Sequence, residues 1–395
     1  MKFEKYRDLF PVTKKFTYLK TGSPGAPLSI PVREACMKHL DELTESGVAN
    51  PGGVSFDQLP LSRQIFAKLI NCDPEEIAII PNATYGLNSV ALMINPKKGE
   101  NIVANDLEFQ SNLFPWLQFS KVGVEVRIAK SRNGILPVEE IERLVDHKTR
   151  AVTTPHVSTW TGFRQELKSV SKVAHDHGAY FVVDAVQSAG VIPVDVRASD
   201  VDFLAVSSQK WLLGPKGCGF LFVRRQLIDK FDPPLPGWYG VINDVTVDSW
   251  DKIKFADSAS KFEGGTPSMI SVVGVTAGIG LLFRVGLPNL QERISDLTQY
   301  AIERLTSSGL QVLTPSERSK RGRAVNVLLR PGVDSVAAHR LLEARGILTQ
   351  CIRREHMAKY GWNAGGFQIS PCFFNNEGDI DAFVEAVRSI NQNVA

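Results

Sequence analysis

Residues 207–217 read SSQKWLLGPKG, and the reading of Lys210 within them decides how the rest of the chain is understood. The apolar run FLAV, 203–206, leads into the stretch and CGFLFV, 218–223, follows it, so Lys210 falls at the end of a buried strand. An ammonium on a flexible stem is costly to bury. In a site it is often lowered in pKa and used as a base or Schiff-base amine. A lysine that snorkels to solvent from a strand end gives the same local pattern, so the neighbours have to decide.

Outward from Lys210, short β-rich runs alternate with helix-like segments from about 75 to 225: EIAII then TYGLNSVALMI, NIVAN then SNLFPWLQFS, VEVRIA then VEEIERLV, RAVTT then ELKSVSKVAHDHG, and AYFVVD before a turn. This alternation predicts βαβ units and a doubly wound, mainly parallel α/β sheet, with ligands at the carboxyl ends of its strands. The pattern changes after about residue 280. ISDLTQYAIERL puts Ile294, Leu297, Ala301 and Leu305 on one helical face, AVNVLLRP reads as a strand, SVAAHRLLEARG as a helix stopped at Gly346, and DIDAFVEAVRSI as a last helix. The expected division is a large domain over 29–280 and a small α+β domain from 1–28 and 281–395, the N-terminal part packing against the latter or crossing to a partner subunit.

At 395 residues with 43% hydrophobic and 22% charged content, the chain has globular values and can bury a large core. A net charge of +3 leaves no electrostatic footprint for nucleic acid, and no membrane span is indicated. The basic run SERSKRGR, 316–323, reads as a solvated loop. Five scattered cysteines, with no CxxC pair or metal-ligand spacing, and an N-terminus without an apolar signal core imply a cytoplasmic setting.

Four elements fall at predicted strand ends. In PNATYGLN a helix starts near Ala83 and Thr84, where free N–H groups suit a phosphate, although a simple cap by Asn82 or Thr84 is also open. In FVVDAVQSAG, Asp184 ends an apolar run with Gln187 three residues on; a buried carboxylate needs a cation or neutralises, and a turn-capping role is the alternative. GPKGCG lacks the dinucleotide fingerprint, and no P-loop occurs. The glycines of FEGGTPS, 262–268, allow close approach of an anion or another chain. A phosphate cradle, a buried carboxylate and a lysine on one sheet edge match the needs of pyridoxal 5'-phosphate.

The chain resembles a fold-type I pyridoxal-phosphate enzyme of the class V aminotransferase family, a group that holds cysteine desulfurases, isopenicillin N epimerase and kynureninase. The resemblance runs from YLKTGSPG to the final helix and is most specific in DAVQSAG, Lys210 26 residues after Asp184, and FEGGTPS. It implies that Lys210 forms an internal aldimine and later shuttles the Cα proton. Asp184 would pair with the pyridine nitrogen, Gln187 would face the phenolic oxygen, and Phe109 would stack on the ring. Ala83, Thr84, Ser207 and Gln209 match phosphate-binding positions. Thr266 matches one that reaches over from the second subunit of a homodimer.

Departures from the desulfurase pattern point to a branch. DLEFQSNLFPW has Phe109 where desulfurases carry histidine, and resembles the isopenicillin-N-epimerase-like branch. Glu355 falls near the place of the desulfurase nucleophile, so Cys351 and Cys372 read as buried structural thiols. Thr159 stands where desulfurases have an asparagine near the cofactor oxygen. Gln368 stands where an arginine usually grips the substrate carboxylate, which leaves Arg164, Arg353 and Arg354 as candidate replacements. His156 reads as a satisfied core histidine, with a second acid or base as the alternative. Epimerisation, carbon–sulfur or Cβ lysis and transamination on a small amino compound are all chemically open. Outside that class stand a dinucleotide-binding oxidoreductase, opposed by the missing fingerprint, and a catalytically silent binding module, opposed by Asp184 and Lys210.

Overall fold

The computed structural model describes residues 3–47, 58–242 and 252–393. After a short strand β1 (Thr17–Tyr18) come β2 (Ile77–Ile80), β3 (Asn101–Asn105), β4 (Glu125–Ala129), β5 (Thr149–Pro155), β6 (Tyr180–Asp184), β7 (Phe203–Ser207) and β8 (Gly219–Val223). These last seven form one sheet in the order β2-β8-β7-β6-β5-β3-β4. Every pairing is parallel except those of β8, which runs antiparallel to both β2 and β7. The expected mainly parallel sheet is therefore found.

Its strands are continuous apolar runs because both faces are covered. Ile77 and Ile79 join one core while Ala78 and Ile80 join the other, and Leu204 and Val206 alternate with Phe203 and Ala205 in the same way. The parallel register brings Pro155, Asp184 and Ala205 side by side at the carboxyl ends of β5, β6 and β7. That edge is where side chains can converge.

The chain then builds β9 (Gln311–Val312), β10 (Val325–Leu328), β11 (Ile347–Leu348), β12 (Gln350–Ile352) and β13 (Gly366–Ile369). A four-stranded sheet runs β12-β13-β10-β9, and β11 pairs in parallel with β1. One face of that sheet packs Val325, Val327, Phe367 and Ile369 with Leu297, Ala301 and Leu305 of the helix Leu287–Ser307 and Phe383 and Val387 of the helix Glu377–Asn393. The other face carries a polar pair, Asn326 beside Gln368. The N-terminal segment joins this body: Arg7 makes a two-pronged ion pair with Asp379, and Lys20 bridges to Ser370. Gly346, with φ of 74°, ends the helix Ser335–Ala344 in the left-handed region that glycine tolerates.

The solvated loop expected for SERSKRGR holds over 316–320 and is overturned over 321–323. Arg318 and Lys320 are exposed, but Arg321 is fully buried and Arg323 is 8% exposed. The run is stitched to the loop after β5, with Arg164 N–H donating to the Lys320 carbonyl at 2.9 Å and Gly322 N–H to the Gly162 carbonyl at 2.7 Å. Such a pairing leaves no cue in local composition. Among the described residues no single helix is long and apolar enough to cross a membrane.

Candidate active site

A cavity of about 350 Å³ opens at the carboxyl edge of the seven-stranded sheet. Asp184, at the end of β6, is 6% exposed, and its Oδ1 accepts the Val186 N–H at 2.8 Å. Burial pushes its pKa up, while the Val186 N–H and the charge of Lys210 oppose that rise. Lys210, three residues past the end of β7, keeps part of its surface open to the cavity. Enclosure by the walls pushes its pKa down, against the pull of Asp184. Each group thus resists its own charge, and each lacks a close ionic partner among the described residues.

The opposite end is built from hydroxyls and a helix start. Asn82 caps the helix Ala83–Ile94 by accepting from the Tyr85 N–H at 3.0 Å, which settles the choice of cap. Ala83 N–H donates to Ser207 Oγ at 2.8 Å, and the Thr84 and Ser111 hydroxyls lie 2.8 Å apart. Between the two ends, Gln187 donates through Nε2 to Thr159 Oγ1 and to the Gly22 carbonyl, both at 2.9 Å, and accepts from Trp211 Nε1 at 3.0 Å. Phe109 is 40% exposed, its ring centroid 5.9 Å from Lys210 Nζ, and Trp160 lies behind it at 6.1 Å.

Of the residues singled out from sequence, Ala83, Thr84, Phe109, Thr159, Asp184, Gln187, Ser207, Gln209 and Lys210 all line this cavity. Thr266 does not; it is exposed elsewhere on this chain. Gln368 does not either: it is 3% exposed and spends Nε2 on the Thr159 carbonyl at 2.7 Å and Asn326 Oδ1 at 3.0 Å. Arg354 is also drawn away, lining with Arg353 a separate surface hollow beside Asp334. Arg164 points its Nε at His156 Nε2, 3.3 Å away. That leaves His156 Nδ1 without a partner, so the satisfied histidine expected from sequence is only half satisfied. Cys372 is buried as expected, whereas Cys351 is only partly so. Sequence reasoning missed Ser111, Ser23 and Pro24; the hydroxyl in EFQSN, two residues past Phe109, is the one available cue.

The residues present fit pyridoxal 5'-phosphate. Asp184 has one oxygen taken and one left for a donor, the helix start and hydroxyls suit an anion, and the volume suits a small cofactor. The family profile described as Aminotransferase class-V matches residues 31–383. The chain belongs to the class V aminotransferase family. Its cofactor is pyridoxal 5'-phosphate. Among this family member's relatives, the uncharacterized aminotransferase YcbU of Bacillus subtilis is 29% identical over 388 residues, 97% of each chain. A probable cysteine desulfurase of Methanothermobacter thermautotrophicus is 33% identical over 307 residues, covering 76% of this chain and 74% of that one. The apo structure of a cysteine desulfurase from Thermococcus onnurineus NA1 superposes with a TM-score of 0.90 at 29% identity, covering 99% of this chain and 98% of that one.

Proposed function

We propose that this class V enzyme transforms an amino acid or related amino compound by moving the proton at its Cα, with Lys210 as the acid–base group, in the isopenicillin-N-epimerase-like branch. One observation carries the reading. Among the described residues, Lys210 and Asp184 are the only acidic or basic side chains that line the cavity, and Phe109, which also lines it, has no proton to transfer. When bound, the cofactor supplies an aldehyde that links to amines and a ring that takes up electrons. Lys210 would hold that aldehyde, and its amine, when free, would take the proton at the substrate's Cα. Asp184 would keep a proton on the ring nitrogen. Gln187 and Thr159 would orient the phenolic oxygen, with the Thr159 hydroxyl as donor because both Gln187 Nε2 hydrogens are spent, and Ala83, Thr84, Ser207 and Gln209 would hold the phosphate.

Two-base epimerisation needs groups on both faces of Cα, so a cavity with one base favours lysis at Cβ. Transamination is the second reading, favoured by the same single base. Desulfuration with a persulfide carrier is disfavoured, since no cysteine lines the cavity among the described residues. We place the enzyme in the cytoplasm as a homodimer in which Thr266 completes the partner's phosphate site. The large domain is assigned to 29–280, with 1–28 and 281–395 making the small one.

The test is Cα hydrogen exchange in deuterium oxide, run on the holoenzyme across amino compounds with and without a β-leaving group, with chiral analysis of what is recovered. Exchange abolished in Lys210→Ala, with no inversion, is expected. Exchange that survives Lys210→Ala, or racemisation as fast as exchange, would refute the one-base reading.

A further inference from the structure

Glu108 is 4% exposed, and among the described residues the partners of its carboxyl are two amides. Asn112 Nδ2 donates to Oε1 and Oε2 at 3.0 Å each, and Asn105 Nδ2 reaches Oε1 at 3.4 Å. Both asparagines are buried, Asn105 at the end of β3 and Asn112 in the first turn of the helix Gln110–Leu117. Burial, then the charge of Asp184, pushes the Glu108 pKa well up, and the two amides oppose that rise. A carboxyl without a cation in such a place sheds its charge and works as a neutral hydrogen-bonding group.

Glu108 does not line the cavity, but two residues that do depend on the turn it occupies between β3 and that helix. Phe109 follows it directly and accepts the Asn112 N–H on its carbonyl at 3.0 Å. Ser111, whose hydroxyl lies 2.8 Å from that of Thr84, stands between Phe109 and Asn112 in the chain. The helix start has no side-chain cap, so the bonds from Asn112 to Glu108 are what tie its first turn down. On the other side Trp160 Nε1 donates to the Glu108 carbonyl at 2.9 Å, while its indole stacks on the Phe109 ring. The asparagines carry the clamp to β5: Asn112 Oδ1 accepts from Thr153 Oγ1 at 2.9 Å, and Asn105 Nδ2 reaches the Thr153 carbonyl and Thr154 Oγ1 at 3.3 Å. We propose that Glu108 is a positioning residue whose uncharged carboxyl sets this turn, and so places Phe109 against the cofactor ring and Ser111 at the phosphate. That role rests on the cofactor placement proposed above.

The experiment measures the affinity for pyridoxal 5'-phosphate and the induced circular dichroism of the bound cofactor, with borohydride fixation at Lys210 of the wild type as the control. In Glu108→Ala the affinity should fall by on the order of ten- to a hundredfold and the dichroic band should change in size, since small misplacements of binding groups carry losses of that order. Glu108→Asp keeps the acid but draws it back by a methylene, and should do the same; it carries the test if Glu108→Ala does not fold. Glu108→Gln, neutral and of equal length, should restore both readouts to near wild type, because the Asn112 amide can turn over to pair with it. Affinity and band unmoved in Glu108→Ala and Glu108→Asp, with thermal stability alone lowered, would overturn the proposal and leave a carboxyl that only holds the fold. A loss in Glu108→Gln as large as in Glu108→Asp would overturn it by showing a group that works as an anion. Failure to fix the cofactor on wild-type Lys210 would overturn the cofactor placement together with this role, whereas the other two outcomes strike the role alone.

Discussion

Gln368 Nε2 lies 2.7 Å from the Thr159 carbonyl oxygen, and this bond joins the four-stranded sheet to the loop that walls the cofactor cavity. The amide is turned to a structural task. Both of its N–H groups are used, one on Thr159 and one on Asn326.

Gln368→Ala therefore should cost stability before it costs chemistry. Removing a buried amide strands the Thr159 carbonyl and Asn326 Oδ1, each of which carries a desolvation penalty of about 1 to 3 kcal/mol. Urea unfolding should show a lowered midpoint, with kcat changed less than tenfold for any substrate found. A stable variant with a KM raised a hundredfold would instead return Gln368 to substrate binding.

The thiol of Cys351 should stay clear of sulfur transfer. Burial pushes its pKa up, and its Sγ lies 3.5 Å from the Ser335 carbonyl oxygen, so little thiolate is present to attack. After incubation with cysteine, alkylation and mass spectrometry should find the residue as a free thiol. A persulfide at Cys351 would restore the desulfurase reading.

Acid–base stability should carry the mark of His175. Its Nε2 lies 2.8 Å from Asp202 Oδ2, and that hydrogen bond raises its pKa, with Asp200 adding to the effect and Arg224 opposing it. A raised folded value means the contribution is fully present below the unfolded pKa of about 6.5 and is lost as pH climbs through the folded value. The gap in melting temperature between wild type and His175→Gln should accordingly be wider at pH 5.5 to 6 than at about pH 9. A gap that widens with rising pH would contradict the assignment.

Much of the site was legible because strand ends announce it. Asp184 and Ser207 each close an apolar run, with Lys210 three residues beyond the second, and a parallel sheet brings such ends to one edge whatever lies between them in sequence. Ser23 and Pro24 gave no such sign, since they reach the cavity through a loop whose path depends on Gln187 meeting Gly22. The bonds that hold Gln368 outside the cavity gave no sign either, because the register that sets it beside Asn326 arises from a strand pairing 42 residues apart. The burial of Arg321 and Arg323 was hidden for a related reason: a basic run looks solvated until a distant glycine-bearing loop closes over it.

The stitch between Gly322 and Gly162 also constrains how substrate can enter. Two backbone hydrogen bonds and a contact too tight for any side chain at Gly322 fasten the small sheet to the loop after β5. The Gln368 bond to the Thr159 carbonyl fastens it a second time, and the Tyr360 hydroxyl, donating to the Asp106 carbonyl at 2.7 Å, a third. A body held at separate points cannot swing about any one of them. The way into the cavity is then set by the side chains at its rim, Phe109 among them, and the half-exposed ring stands as a doorpost as well as a ring cover.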